Sequence, residues 1–178
     1  NGNYHNIRGS ACNSKGEVFF ADISENKIYQ ISSDGTIKVF LSNAGFCNGL
    51  SFGAKDELYT VSEKTGKILC YDTSGKKILY ADEIRGRYVL AKPEGGLYVT
   101  GKDTVDGPSK VWLIKDGRKK VVADGLPFAT GIAMTPDRGF LSIGEGNSHR
   151  AYSYQIASDE KLINKELFFH LQVQDWEN

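Results

Sequence analysis

The chain has 178 residues, 40% of them hydrophobic and 11% aromatic, which is enough to close a core and too apolar for a disordered segment. Twenty-two basic residues balance twenty-two acidic ones, so no overall field draws the chain to nucleic acid or to an anionic membrane surface. No window approaches the roughly 18 consecutive apolar residues that a spanning helix needs, and the sequence reads as a soluble protein with neither a nucleic-acid nor a membrane partner.

In chain order, a short strand is predicted at Ser10 to Asn13. It is followed by EVFFADISENKIYQISSDGTIKVF over 17–40, where apolar and polar residues alternate with period two and Ser33-Asp34-Gly35 marks a turn. The same order returns with a strand at Gly49 to Phe52 and ELYTVSEKTGKILCYDTSGKKILYAD over 57–82, turning at Ser74-Gly75. A third pass has a strand at Val89 to Lys92, then GLYVTGKDTVDGPSKVWLIKDGRKKVVAD over 96–124, turning at Lys115-Asp116-Gly117. The fourth has a strand at Gly131 to Met134, then GFLSIGEGNSHRAYSYQIASDEKLINKELFF over 139–169. Anchors at Phe19, Leu58, Leu97 and Phe140 are spaced by 39, 39 and 43 residues. An insertion around Val105 to Ser109, with Gly107 and Pro108, accounts for the longer interval.

Four strands in each unit of about forty residues is the pattern of a β-propeller blade. A stacked sandwich also has many short strands, but it lacks the fixed period. The reading is therefore all-β, one domain over 1–178, with blades at approximately 6–42, 43–83, 84–125 and 126–171. Four blades leave sheet edges that natural arrays close or cover. The expectation is an incomplete ring whose missing blades come from another chain or a longer parent, in preference to a compact four-bladed ring. Three cysteines, Cys12, Cys47 and Cys70, form no CxxC pair and are odd in number, which argues against a disulfide framework or a zinc site. They read as buried thiols at apolar positions.

In a propeller the innermost strands line a central channel, and the loops leading into them form the usual binding mouth. Ten residues before each anchor stand Gly9, Asn48, Arg87 and Thr130, preceded by Arg8, Cys47, Gly86 and Ala129. A hard cation in the channel calls for carboxylate and amide oxygens; this column offers one amide and no carboxylate.

Several segments carry a family resemblance: GEVFFADI (16–23), Asn48-Gly49-Leu50, KPEGGLYVT (92–100), GPSKVW (107–112) and VADGLPFATGIAMTPD (122–137). Together they resemble the gluconolactonase and senescence-marker-protein propellers, and the last is the most specific of them. The resemblance implies a six-bladed ring, about four blades of which fall in this chain. It also implies one divalent metal, usually calcium, that polarises a lactone carbonyl and positions water. Carried over residue by residue, the first metal-ligating glutamate falls on Arg8. The third-blade asparagine falls on Arg87 and the aspartate after it on Tyr88, while the fourth-blade asparagine falls on Thr130. The fifth-blade aspartate lies beyond Asn178.

A guanidinium stays charged and only donates hydrogen bonds, so two arginines at these positions repel a dication. The expectation is a gluconolactonase-like propeller with no metal or other cofactor in this chain, no assignable catalytic residue, and lactone hydrolysis weakened or lost. Arg8, Asn48, Arg87 and Thr130 are then ligand-binding residues for a small sugar acid or lactone. The alternative is a non-catalytic ligand-binding or protein-interaction propeller.

Other features have plainer readings. His149, with Ser148 and Glu145 nearby, sits in a turn and lacks the strained elbow that presents a hydrolase serine. Asp103, Asp106 and Asp175 are typical loop acids. Phe20, Trp112, Tyr152 and Tyr154 are expected to pack between blades, and Arg118 to Lys120 to form a solvated basic hairpin end.

Overall fold

The computed structural model describes residues 4–170. Their regular structure is entirely strand and builds four antiparallel sheets, each made of four strands consecutive in sequence. Blade 1 contains β1 (Ile7–Cys12), β2 (Val18–Asp22), β3 (Lys27–Ile31) and β4 (Ile37–Ser42). Blade 2 contains β5 (Gly49–Phe52), β6 (Leu58–Val61), β7 (Ile68–Tyr71) and β8 (Lys77–Ala81). Blade 3 contains β9 (Arg85–Ala91), β10 (Leu97–Lys102), β11 (Ser109–Lys115) and β12 (Arg118–Leu126). Blade 4 contains β13 (Ala129–Met134), β14 (Phe140–Glu145), β15 (Arg150–Ile156) and β16 (Leu162–His170). No helix among the described residues is long and apolar enough to cross a membrane.

Because strand side chains alternate between faces, each sheet offers one apolar face to the blade before it and one to the blade after it. Phe19, Ala21 and Ile28 of blade 1 meet Leu50, Leu58 and Tyr71 of blade 2. Tyr59, Val61 and Ile68 meet Leu97, Val99 and Trp112 of blade 3. Tyr98, Val111 and Leu113 meet Leu141, Ile143 and Tyr154 of blade 4. The core is thus three inter-blade seams, with the innermost strands β1, β5, β9 and β13 lying side by side. Trp112 and Tyr154 are buried in these seams as expected, and Tyr152 packs against the last one. Phe20 is buried too, but not in a seam between two described blades. It lies on the opposite face from Phe19, stacked on Tyr29 and edge-on to Tyr4, away from blade 2.

The turn between the first and second strand of each blade fixes the register of the repeat. It closes from Asn13 N–H to Glu17, Gly53 to Glu57, Lys92 to Gly96 and Thr135 to Phe140. The structurally equivalent anchors are therefore the next residues: Val18, Leu58, Leu97 and Leu141. Phe19 and Phe140 are each one residue out of register. Phe19 is misleading because it is buried on the other face, and Phe140 because the fourth turn is one residue longer and leaves it 47% exposed while Leu141 is fully buried.

The outward faces of the two end blades remain apolar. Val18, Ile37 and Val39 are exposed on blade 1, and Phe140, Ile163 and Phe169 on blade 4. At the rim, ion pairs join neighbouring blades. Lys92 is 4% exposed and pairs with Glu94 at 2.9 Å and with Glu160 of blade 4; Lys115 meets the same Glu160 at 3.2 Å. The basic hairpin end also has partners: Lys119 reaches Glu83 at 3.1 Å, and Lys120 reaches Asp159 at 3.9 Å.

Candidate functional site

The innermost strands enter the channel from one rim, and their first residues decide what the mouth contains. In β1 a bulge between Arg8 and Ser10 shifts the pairing with β2. Gly9 sits in the bulge at φ 52°, so close to blade 2 that a Cβ there would lie 2.7 Å from the Asn48 carbonyl oxygen. Only glycine combines that φ with that approach. Arg8, not Gly9, is consequently the residue in phase with Asn48 and Arg87, ten positions before the true anchor Val18. Thr130 stands eleven before Leu141 because of the longer fourth turn.

The four residues singled out from the sequence, Arg8, Asn48, Arg87 and Thr130, border one cavity of about 260 Å³ at the channel mouth. Asn6, Glu63, Tyr88 and Phe128 complete most of its wall. Arg87 pairs with Glu63 at 2.5 Å, and its guanidinium carbon lies 4.0 Å from the centroid of the Phe128 ring. Arg8 donates through Nε to Asn6 Oδ1 at 3.0 Å, and Asn48 Oδ1 accepts the Glu63 N–H at 2.8 Å. Each guanidinium has five N–H donors, so these contacts orient both arginines at the cavity wall and use only part of their donor capacity.

Glu63, Phe128 and Asn6 escape a search confined to the inner-strand column. Glu63 lies just beyond β6 and Asn6 just before β1, both in connections on the same rim; Phe128 directly precedes β13. Listing the loops that share a rim would have found them.

The mouth does not fit a divalent cation. Among the described residues Glu63 is the one carboxylate bordering the cavity, and Arg87 takes it. Among the described residues no three His, Cys, Asp or Glu side chains converge on a point that could hold a metal ion. A calcium site gathers six to eight oxygen ligands with net negative charge, whereas two guanidiniums here face the space such an ion would occupy.

The remaining acids and the turn histidine have structural tasks or none. Glu145 is buried and accepts the N–H groups of Asn147 and Ser148; burial would raise its carboxyl, but the donors in that turn outweigh it and hold the group below its usual range. Asp22 does the same at the end of β2. It accepts from His5, Asn6, Ser24 and Glu25, and those bonds overcome desolvation to lower it. His149 is exposed in its turn at φ 54°, Asp103 pairs with Lys110, and Asp106 is exposed. Asp175 lies outside the described residues. The thiols are free, but only Cys47 is buried; Cys12, on the channel-facing side of β1, is exposed, against the expectation of a buried thiol.

A second, longer cavity of about 620 Å³ continues down the channel between β1, β5 and β9, lined by Ser10, Cys12, Ser51, Tyr88 and Leu90 among others. Four blades arranged in sequence about a channel, with one mouth built from inner-strand residues, define a β-propeller. The chain belongs to the SMP-30/gluconolactonase/LRE-like family, whose model matches residues 10–177.

Among solved structures it is similar to a gluconolactonase from Xanthomonas campestris, with 18% identity and a TM-score of 0.82 over 93% of this chain and 63% of that one. It is similar also to a calcium-binding protein, regucalcin, from Agrobacterium tumefaciens (15%, TM-score 0.75, 93% and 59%). Virginiamycin B lyase from Staphylococcus aureus is a third (17%, TM-score 0.69, 94% and 56%). These likenesses establish the fold, and the chain spans less than two thirds of the length of each of the three. No curated protein sequence matches it.

Proposed function

We propose that in this chain the metal-dependent lactone hydrolysis of its lineage is lost, and that the channel mouth binds an organic carboxylate of the sugar-acid class without a metal. One observation carries the reading: Arg8 and Arg87 converge on a cavity whose single carboxylate among the described residues is already neutralised by Arg87. Paired N–H donors in a fork match a carboxylate, and Asn48 and Thr130 add polar groups suited to hydroxyls. Family membership supports a sugar-derived ligand, because ring-opened lactones are sugar acids.

The test is to titrate calcium and zinc into chelator-treated protein while following acid release from gluconolactone. The reading predicts no stoichiometric metal and no metal-dependent turnover in a folded sample. Stoichiometric binding coupled to turnover would overturn it.

We propose further that the apolar outward faces of blades 1 and 4 are covered by additional blades, supplied by another chain or by a longer parent. Left uncovered, such faces associate. The 178-residue chain is expected to self-associate at micromolar concentration in sedimentation, with Phe140→Lys reducing it; a monodisperse monomer unaffected by that change would contradict the proposal.

A further inference from the structure

Beside the mouth lies another cavity of about 290 Å³, and Ile23, Asn48 and Glu63 border both. Its other walls are Phe46, Lys64, Arg85 and Val105. The two chambers repeat one arrangement. In the first, a guanidinium lies against an aromatic ring, Arg87 on Phe128; in the second, an ammonium does, with Lys64 Nζ 3.4 Å from the centroid of Phe46. Each chamber has a second cation, Arg8 in the first and Arg85 in the second.

Neither Lys64 nor Arg85 has a carboxylate partner among the described residues; Arg85 donates one N–H to the Glu63 carbonyl at 3.0 Å. Four cations therefore surround the joined space against one acid, and that acid is committed to Arg87.

The backbone holds this arrangement against a local cost. Phe46 adopts φ 57°, a conformation disfavoured for a bulky side chain, and its N–H is tied to Asn26 Oδ1 at 2.8 Å. Strain kept at a cavity wall points to a selected position for the ring. Glu63, the partition, is pinned at three points: its N–H by Asn48, its carbonyl by Arg85 and its carboxylate by Arg87.

Resting on the carboxylate reading above, we propose that the ligand is a dianion spanning both chambers, of the class of a uronate disaccharide. One carboxylate lies between Arg8 and Arg87 and the other between Lys64 and Arg85, with Phe128 and Phe46 holding Arg87 and Lys64 in position through their ring faces. The combined space suits two sugar units, being within the range of small-molecule sites, and a single sugar acid would leave one pair of cations unused.

The experiment is calorimetric titration of metal-free protein with galacturonate and with digalacturonate, at low and at physiological salt. Digalacturonate is expected to bind at least tenfold tighter than galacturonate. Lys64→Met combined with Arg85→Met is expected to bring the disaccharide down to the affinity of the monosaccharide; circular dichroism confirms that the variant is folded, and Lys64→Met alone, at an exposed position, is expected to lose part of the preference. Equal affinity of the wild-type chain for the two sugars overturns the dianion proposal and leaves the carboxylate reading standing, as does a preference that survives the double change. Absence of binding by either sugar overturns both.

Discussion

Lys92 offers a sharp test of how the blades are held together. Its ammonium is almost wholly buried between blades 3 and 4, with Glu94 and Glu160 as its partners. Replacing both acids with glutamine keeps their shape and leaves a buried cation without an anion. Removing the partner of a buried charge costs about 3–5 kcal/mol, and the glutamine oxygens still accept hydrogen bonds, so the lower end, about 3 kcal/mol, applies. Replacing Lys92 with methionine instead leaves Glu160 with Lys115 and Glu94 with Arg138. Both acids are partly exposed, and the loss should be about 0–1 kcal/mol.

With a urea slope of about 2 kcal/mol per molar, Glu94→Gln/Glu160→Gln lowers the unfolding midpoint by about 1.5 M, and Lys92→Met by less than about 0.5 M. The charge state gives a second check. The bonds to Lys92 and Lys115 outweigh burial and hold Glu160 below the ordinary 4.5, and Glu94 is lowered by Lys92 although burial opposes it. Burial would lower Lys92, but its bonds to Glu160 and Glu94 leave it raised above 10.5. Depressed carboxylates stabilise above their unfolded value and lose that contribution as pH falls through the folded one. A raised lysine loses its contribution as pH rises through its folded value. The gap between wild type and the double variant should thus be full from about pH 5 through neutrality, close in acid, and narrow in alkali, where the unpartnered buried Lys92 of the variant sheds its proton. Equal midpoint shifts for the two variants, or a gap that persists in acid, would refute the reasoning.

Three further outcomes follow from the packing. Leu141→Ala should cost about 2–5 kcal/mol and Phe140→Ala less than about 1 in urea unfolding of this chain, since the fully buried Leu141 is the anchor. Gly49→Ala should destabilise by about 1–3 kcal/mol and weaken carboxylate binding, because its Cβ would stand 2.9 Å from the Arg87 carbonyl oxygen and the Tyr88 Cα. At pH 8 an aromatic disulfide reagent should label exposed Cys12 in the native protein. Cys47, whose thiol burial pushes up to about 12, should react only after unfolding.

Much of the fold is legible in the sequence because a propeller repeats its hydrophobic signal. The turns at Ser33-Asp34-Gly35, Ser74-Gly75 and Lys115-Asp116-Gly117 fall between the third and fourth strands of their blades. What resists reading is the phase. A pair such as Val18-Phe19 sends its side chains to opposite faces of the sheet, so either could be the anchor until the turn hydrogen bonds decide. β1 and β9 begin three or four residues earlier than alternation indicates, at Ile7 and Arg85, because polar and glycine residues at the mouth interrupt the apolar pattern.

The inner-strand column is legible in the sequence, and Arg8, Asn48, Arg87 and Thr130 border one cavity. Glu63, Phe128 and the second chamber were not visible, since loops from different blades meet there only through curvature of the ring. The pairing of Lys119 and Lys120 across blades is illegible for the same reason: their partners are 36 and 39 residues away.

The most direct test of the account is calorimetric titration of galacturonate into chelator-treated protein, wild type beside Arg8→Met/Arg87→Met. The account predicts saturable binding that weakens as salt is raised and falls at least tenfold in the double variant. Binding that first appears when calcium is added, or that survives the loss of both arginines, would contradict it.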